Sequence, residues 1–268
     1  MKKVEIYEYY SFGYNYYILL NESSKKLNKD ILEDIKTYIK FIGELDLKVT
    51  ASSLELAGFD KDISNLKKAC RGDNKMKPIE PELHNSIIEK LKTADKTLDA
   101  ELNIISAYYI NSNKRITNEI LENNIEKLFA KDIFQYLPEI AKYDFDEAGK
   151  CLLLNRFTAC AFHTLRGTED VLKLYYEKLL DLSAKDNQTW WNFYEEIVKY
   201  NKTAEPKISE ELLNNLNNLR KFYRNKTQHP QMIYNSDDVQ DLLFNCIKSI
   251  NEMIQDLIKR KLILDGTF

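Results

Sequence analysis

Only seven glycines and five prolines interrupt 268 residues. Glycine loosens the backbone and proline removes a hydrogen-bond donor, so a chain poor in both meets few local breaks. That scarcity favours long uninterrupted elements and predicts a mainly α protein. Apolar spacing points the same way. Between 28 and 45, Ile31, Ile35, Tyr38, Ile42 and Leu45 recur at intervals of three and four. Pro81 suits the first position of a helix carrying Leu83, Ile87, Leu91, Ala94, Leu98 and Leu102. Further stripes are Leu165, Leu172, Tyr176 and Leu179 with Phe162, and Val239, Leu242, Leu243, Cys246, Ile250, Met253 and Leu257. Gly58 suits the position just past the end of a short helix from Thr50, and a turn is expected around 71–74.

Two stretches read differently. Residues 1–20 are crowded with aromatics around Gly13, which suits either a hairpin or a buried helical start, used for core or dimer packing. Residues 104–116 are β-branched and aromatic, which predicts a strand turning at Asn111-Ser112-Asn113. Thr117 can cap the next helix. Asp144 and Glu147 have capping-box spacing and predict a helix start there. Ser236 or Asp237 can cap the last helix. The expected organisation is a mostly helical region over 1–140 with a small β element, then an antiparallel helical bundle over 141–268, because its connections are short.

A net charge of -3 excludes a globally basic nucleic-acid coat, so an anionic partner needs a local patch. Cys70, Cys151, Cys160 and Cys246 form no CxxC pair and read as reduced core thiols. The N-terminus MKKVEIYEYY lacks the apolar run of a signal peptide, and no run is long enough to span a bilayer. A cytoplasmic protein without a membrane role is expected. No Gly-rich phosphate loop and no HExxH appears, and the acids are scattered, which disfavours a two-metal nuclease. No metal and no cofactor is implied. His84 reads as a packing or surface residue, and Trp190 and Trp191 as packing anchors.

The chemistry concentrates in LNNLRKFYRNKTQHP, residues 216–230. Here a helix ends at Arg224 and Asn225, with His229 after a short polar bridge. A guanidinium offers a charged fork to phosphate, and an imidazole exchanges protons near neutrality. Arg220, Lys221 and Lys226 add local positive charge. Glu169 falls within an otherwise apolar stripe, where an unpaired charge is costly. It can pair with Arg166 one turn back, or reach across the bundle to orient Arg224 or His229. A plain structural use is also open: Arg224 as a helix-end cation and His229 as a turn residue.

The Arg224-Asn225-(three residues)-His229 spacing between two helices resembles the HEPN superfamily, whose signature is R-x4-6-H with a polar residue after the arginine. DEAGKCLLLNRFTACAFHTLRGTEDVLKLYYEKL, residues 146–179, resembles the helical lead-in of bacterial HEPN-like proteins. The likeness covers roughly the C-terminal half. One departure is Lys226, where relatives often carry proline. The resemblance implies a HEPN-like bundle and a metal-independent endoribonuclease of a defence or toxin system, acting on RNA as a homodimer. Arg224, His229 and Asn225 would be catalytic, Arg220, Lys221 and Lys226 would bind substrate, and Glu169 and Arg166 would support them. An antitoxin or sensor partner is a further expectation. The alternatives are a HEPN-type module that binds RNA or a nucleotide without cutting it, and a dimerising scaffold.

Overall fold

A computed structural model describes residues 6–21, 26–106, 110, 113–229 and 231–263. Among them the chain is helical, without a strand; the one β-type contact is an isolated antiparallel bridge between Leu27 and Pro78. No described helix is long and apolar enough to cross a membrane. The chain divides into two compact units, 1–108 and 109–268. The division falls ahead of the expected one near 140, because Leu121, Ile125, Phe129, Ile133 and Leu137 pack into the core of the second unit.

The first unit contains α1 (Ile6–Asn21), α2 (Asn28–Glu44), α3 (Lys48–Leu56), α4 (Phe59–Ala69) and α5 (Pro81–Ile104). The aromatic N-terminal stretch is one continuous helix and not a hairpin. Phe12, Tyr16 and Leu19 share a helical face, and Phe12 stacks on Phe41 at 3.6 Å while Tyr16 stacks on Tyr38 at 5.2 Å. Tyr7, Tyr10, Tyr14 and Tyr17 remain exposed on the other side. In α2 the predicted stripe is buried at Ile31, Ile35, Tyr38 and Ile42. Gly58 adopts a left-handed φ of 73° just past α3, a conformation that costs glycine little. Glycine 72 opens a 3-10 turn through Met76 where a turn was expected. His84 is buried, and burial lowers its pKa.

Glu101 of α5 closes the start of α3. Its carboxylate accepts from the Val49 and Thr50 amides at 2.9 and 2.7 Å and from the Thr50 hydroxyl at 2.6 Å. Burial pushes its pKa up, but these hydrogen bonds outweigh that and hold it below 4.5. A depressed carboxyl stabilises the fold above its unfolded pKa and loses that contribution as pH falls through the folded value. Glu101→Gln should therefore cost stability at pH 7 and flatten the acid limb of a melting-temperature profile below about pH 4.5.

The strand expected over 104–116 does not appear in the described part. α5 runs to Ile104, residues 105, 106, 110 and 113 lie in no regular element, and 107–109 and 111–112 fall outside the described residues.

The second unit contains α6 (Asn118–Asn123), α7 (Glu139–Leu153), α8 (Phe157–Leu180), α9 (Trp190–Asn201), α10 (Glu210–Asn218), α11 (Asn225–Gln228) and α12 (Ser236–Lys259), with two 3-10 turns between α6 and α7. The central helix is α8, packed on α7, α9 and α12. Gly167 of α8 lets α7 come close: an added Cβ would lie 3.1 Å from both Asp144 Cβ and the Phe145 ring. The mutual directions are mixed. α7 runs against α8, since Asp144 meets both His163 and Arg166 across a three-residue turn. α8 and α12 run parallel, since Thr158 meets Tyr234 at one end and Tyr175 meets Asp256 at the other. Short links enforce antiparallel neighbours only for consecutive helices, and several elements separate α8 from α12.

Local signals matched some helix ends and not others. Pro81 stands at the first position of α5, as expected. Ser209 caps α10 by accepting from the Leu212 amide at 3.4 Å. Thr117 stands at the start of α6, but its side chain makes no capping bond. α7 begins after Pro138, so the Asp144–Glu147 spacing caps nothing; Asp144 lies inside the helix, fully buried. The cap of α12 is Asn235, which accepts from the Asp237 and Asp238 amides at 2.9 Å, ahead of both expected residues. Every apolar residue expected on α12 is buried, whereas Phe162 of α8 is 42% exposed. All four cysteines are free thiols, and burial raises Cys160 and Cys246 to about 12.

Candidate functional site

After α10 the backbone widens into a π-helical turn, Leu219–Arg224, before tightening into α11. Such turns displace the ladder by one residue and re-aim the side chains that follow, often at functional sites. The two tryptophans contact this segment. Trp190 Nε1 donates to the Leu216 carbonyl at 3.2 Å, and the Arg220 guanidinium lies 4.2 Å above the Trp191 ring. Both contacts tie the turn to the start of α9.

Arg224 closes the π turn and reaches α8. Its Nη2 donates to Glu169 Oε1 at 3.2 Å and Oε2 at 3.4 Å. Glu169 Oε1 also accepts from the Trp190 amide at 3.1 Å, so one carboxylate terminates α9 and holds the guanidinium. Of the two roles read for Glu169, the pairing across the bundle is the one formed with Arg224. Arg166 does not share it; its fork closes on Asp144 instead. Arg224 is therefore partly engaged, though its Nη1 makes no hydrogen bond among the described residues, and its Nε is buried without a partner.

His229 follows α11 in extended backbone, with its amide bonded to the Asn225 carbonyl at 3.0 Å. Its side chain is exposed and has no hydrogen bond or ion pair among the described residues. The turn that carries it is anchored from beneath. Buried Thr227 bonds through Oγ1 to the Tyr223 carbonyl at 2.8 Å and to the Tyr234 hydroxyl at 2.7 Å, and the Tyr234 amide donates to Thr158 at 3.4 Å. Asn225 is half-buried, with no side-chain bond among the described residues. Lys221 and Lys226 are exposed, with Lys221 Nζ 5.3 Å from the Phe222 ring. Arg220 is committed to Trp191 and to Asn217 Oδ1 at 3.2 Å, so it is less available to a ligand than the two lysines.

A second cluster went unread in the sequence. Fully buried Asp144 accepts from Arg166 Nε and Nη2 at 2.7 and 2.6 Å and meets His163 Nδ1 at 2.8 Å. His163 and Arg166 stand one helical turn apart, which is the signal that could have paired them. The bond at Nδ1 fixes the imidazole with Nε2 directed elsewhere. Arg166 also borders an open cleft of about 730 Å³ that runs along α8 and includes Glu169, Asp170 and Lys173. Asp170 Oδ2 is buried without a hydrogen-bond partner, and burial raises this carboxyl above 3.8, with Lys173 opposing the rise. A carboxyl with a raised folded pKa binds its proton more tightly when folded, so it costs stability once ionised. Asp170→Asn should raise the melting temperature at pH 7, with the gain shrinking as pH falls through the raised value and vanishing below about 3.8.

Compared with protein-family models, curated proteins and solved structures, the chain matches none.

Proposed function

We propose that the second unit is a metal-independent, HEPN-type endoribonuclease of a bacterial defence or toxin system, acting on RNA as a homodimer. The observation that carries this reading is the contrast between Arg224 and His229. The guanidinium is buttressed by Glu169 with Nη1 unengaged, while an exposed, unbonded imidazole follows five residues later on a pinned turn.

RNA cleavage without a metal needs three things: removal of the ribose 2′-hydroxyl proton, charge for the phosphorane, and a proton for the departing 5′-oxygen. An imidazole can move the protons and a guanidinium can hold the phosphoryl oxygens. Asn225 can donate to a phosphoryl oxygen. One histidine serves both proton transfers poorly. A two-fold dimer presents the same turn twice and supplies the second imidazole. Two copies of Lys221 and Lys226 would also give a chain of net charge -3 a locally basic cleft. A neutralising partner would act by covering this turn.

The arginine gives the test that separates cutting from binding. Arg224→Ala should weaken both RNA binding and cleavage, and Arg224→Lys should restore little, since an ammonium lacks the planar fork. His229→Ala should spare binding and remove cleavage. A module that only binds would lose affinity with Arg224→Ala and show no cleavage to lose, and a scaffold would be indifferent to both changes.

A further inference from the structure

We propose that the end of α4 and the turn after it form an RNA-binding surface of the first unit, one that holds the phosphate backbone of a single strand. The choice of RNA rests on the reading of the second unit as a ribonuclease; the surface itself is read from the first unit alone. Between 67 and 77 the sequence places Lys67, Lys68, Arg71, Lys75 and Lys77 against one acid, Asp73. In a chain of net charge -3 this is a local reversal of sign. Cations favour a helix C-terminus, which accounts for Lys67 and Lys68 in the last turn of α4. It does not account for Arg71, Lys75 and Lys77, which follow the helix.

All five cations are exposed, and none of their side chains has a hydrogen bond or ion pair among the described residues. Elsewhere in the first unit Lys26, Lys40, Lys48 and Lys90 each meet a carboxylate. The first acid before the run, Asp62, is buried and held by Lys90 at 2.6 Å. Burial raises the Cys70 thiol and the Lys36 ammonium opposes the rise, which brings an exposed cation of α2 to the same end of α4. Glu33, one turn before Lys36, is the acid on that side.

The cations after α4 stand on a held backbone. Asn28, at the start of α2, donates through its amide to the Lys77 carbonyl at 2.9 Å and through Nδ2 to the Asn74 carbonyl at 3.0 Å. The Ile79 amide donates to the Lys26 carbonyl at 3.1 Å, beside the Leu27–Pro78 bridge. Binding therefore orders side chains and not the turn, which lowers its entropic cost. Exposed Asn65, one turn before Lys68, and exposed Asn74 add neutral donors for phosphate and sugar oxygens. A lipid surface calls for apolar side chains beside the cations, and Met76 is the one large apolar residue exposed in this run. The pattern suits phosphate contacts that do not read sequence.

The test is fluorescence anisotropy of a labelled oligouridylate on the full His229→Ala chain over a series of salt concentrations. Replacing Lys68, Arg71 and Lys75 together by glutamine should weaken binding about tenfold or more at about 0.1 M salt, and lower the slope of log affinity against log salt by about two. Replacing Lys48, Lys92 and Lys96, exposed cations of the same unit, removes equal charge elsewhere and should change affinity less than about twofold. Circular dichroism of both triple variants checks the fold. With His229 intact, the first triple variant should cut a dinucleotide as the unaltered chain does and lose cleavage of long RNA at low concentration. A chain that cuts nothing, yet binds RNA through these three cations, would remove the ribonuclease reading and leave this surface standing. No RNA binding, equal weakening by the two triple variants, or an unchanged salt slope overturns the proposal. So does binding of phosphatidylserine vesicles that the first triple variant abolishes while RNA binding is retained, which would assign the surface to a lipid.

Discussion

His229→Ala should lower RNA cleavage by roughly 10²–10⁴-fold, the usual loss when a positioned proton-transfer group is removed. The fold should not notice. The side chain is exposed and unbonded among the described residues, and surface substitutions of that kind typically change stability by no more than about 0.5 kcal/mol. The prediction is thus a dissociation of two readouts: a cleavage assay in EDTA that collapses, and a thermal melt that does not move. The proposed dimer adds a further consequence. If each composite site needs an imidazole from both chains, mixing wild-type with His229→Ala chains should depress activity more steeply than the fraction of mutant chain. A linear fall would mean that each chain cuts by itself.

Trp190→Ala should have the largest effect on stability. The ring is 1% exposed, and truncating a buried tryptophan typically costs about 3–5 kcal/mol in lost transfer energy and cavity. For a unit of this size that corresponds to a fall of roughly 6–20 °C in its melting temperature. The residue also holds the candidate site. Its Nε1 takes the Leu216 carbonyl ahead of the π turn, and its amide is terminated by the carboxylate that holds Arg224. Trp190→Phe separates the two contributions, because it keeps most of the apolar volume and the amide while losing the Nε1 bond, worth about 1 kcal/mol. Cleavage by Trp190→Phe, measured well below its melting temperature, should fall by more than the unfolded fraction explains. Unchanged cleavage would mean that the π turn keeps its shape without that bond.

What could be read beforehand followed from how local each cause is. The stripes of α2 and α12 were legible because a helix that buries one face repeats its apolar residues every three or four positions, and nothing distant alters that count. Few glycines and prolines made the helical class legible for the same reason. Asp144 was misread because capping-box spacing is local, whereas its burial is set by Arg166 and His163 on the next helix. α1 was ambiguous because aromatics suit strands and helices alike, and only Phe41 and Tyr38 decide which face is covered. Glu169 was singled out as an acid on an apolar face, and of its three readable partners, Arg166, Arg224 and His229, the structure forms Arg224. The π turn had no sequence mark, and its contacts with Trp190 and Trp191 join residues about thirty positions apart.

The most direct test of the central idea is chemical analysis of RNA ends after incubation with the purified full chain in EDTA. Attack by the neighbouring 2′-hydroxyl predicts fragments with 2′,3′-cyclic phosphate and 5′-hydroxyl termini, absent when Arg224 or His229 is replaced by alanine. Uncut RNA, fragments bearing 5′-phosphate, or identical fragments from the two variants would contradict the account.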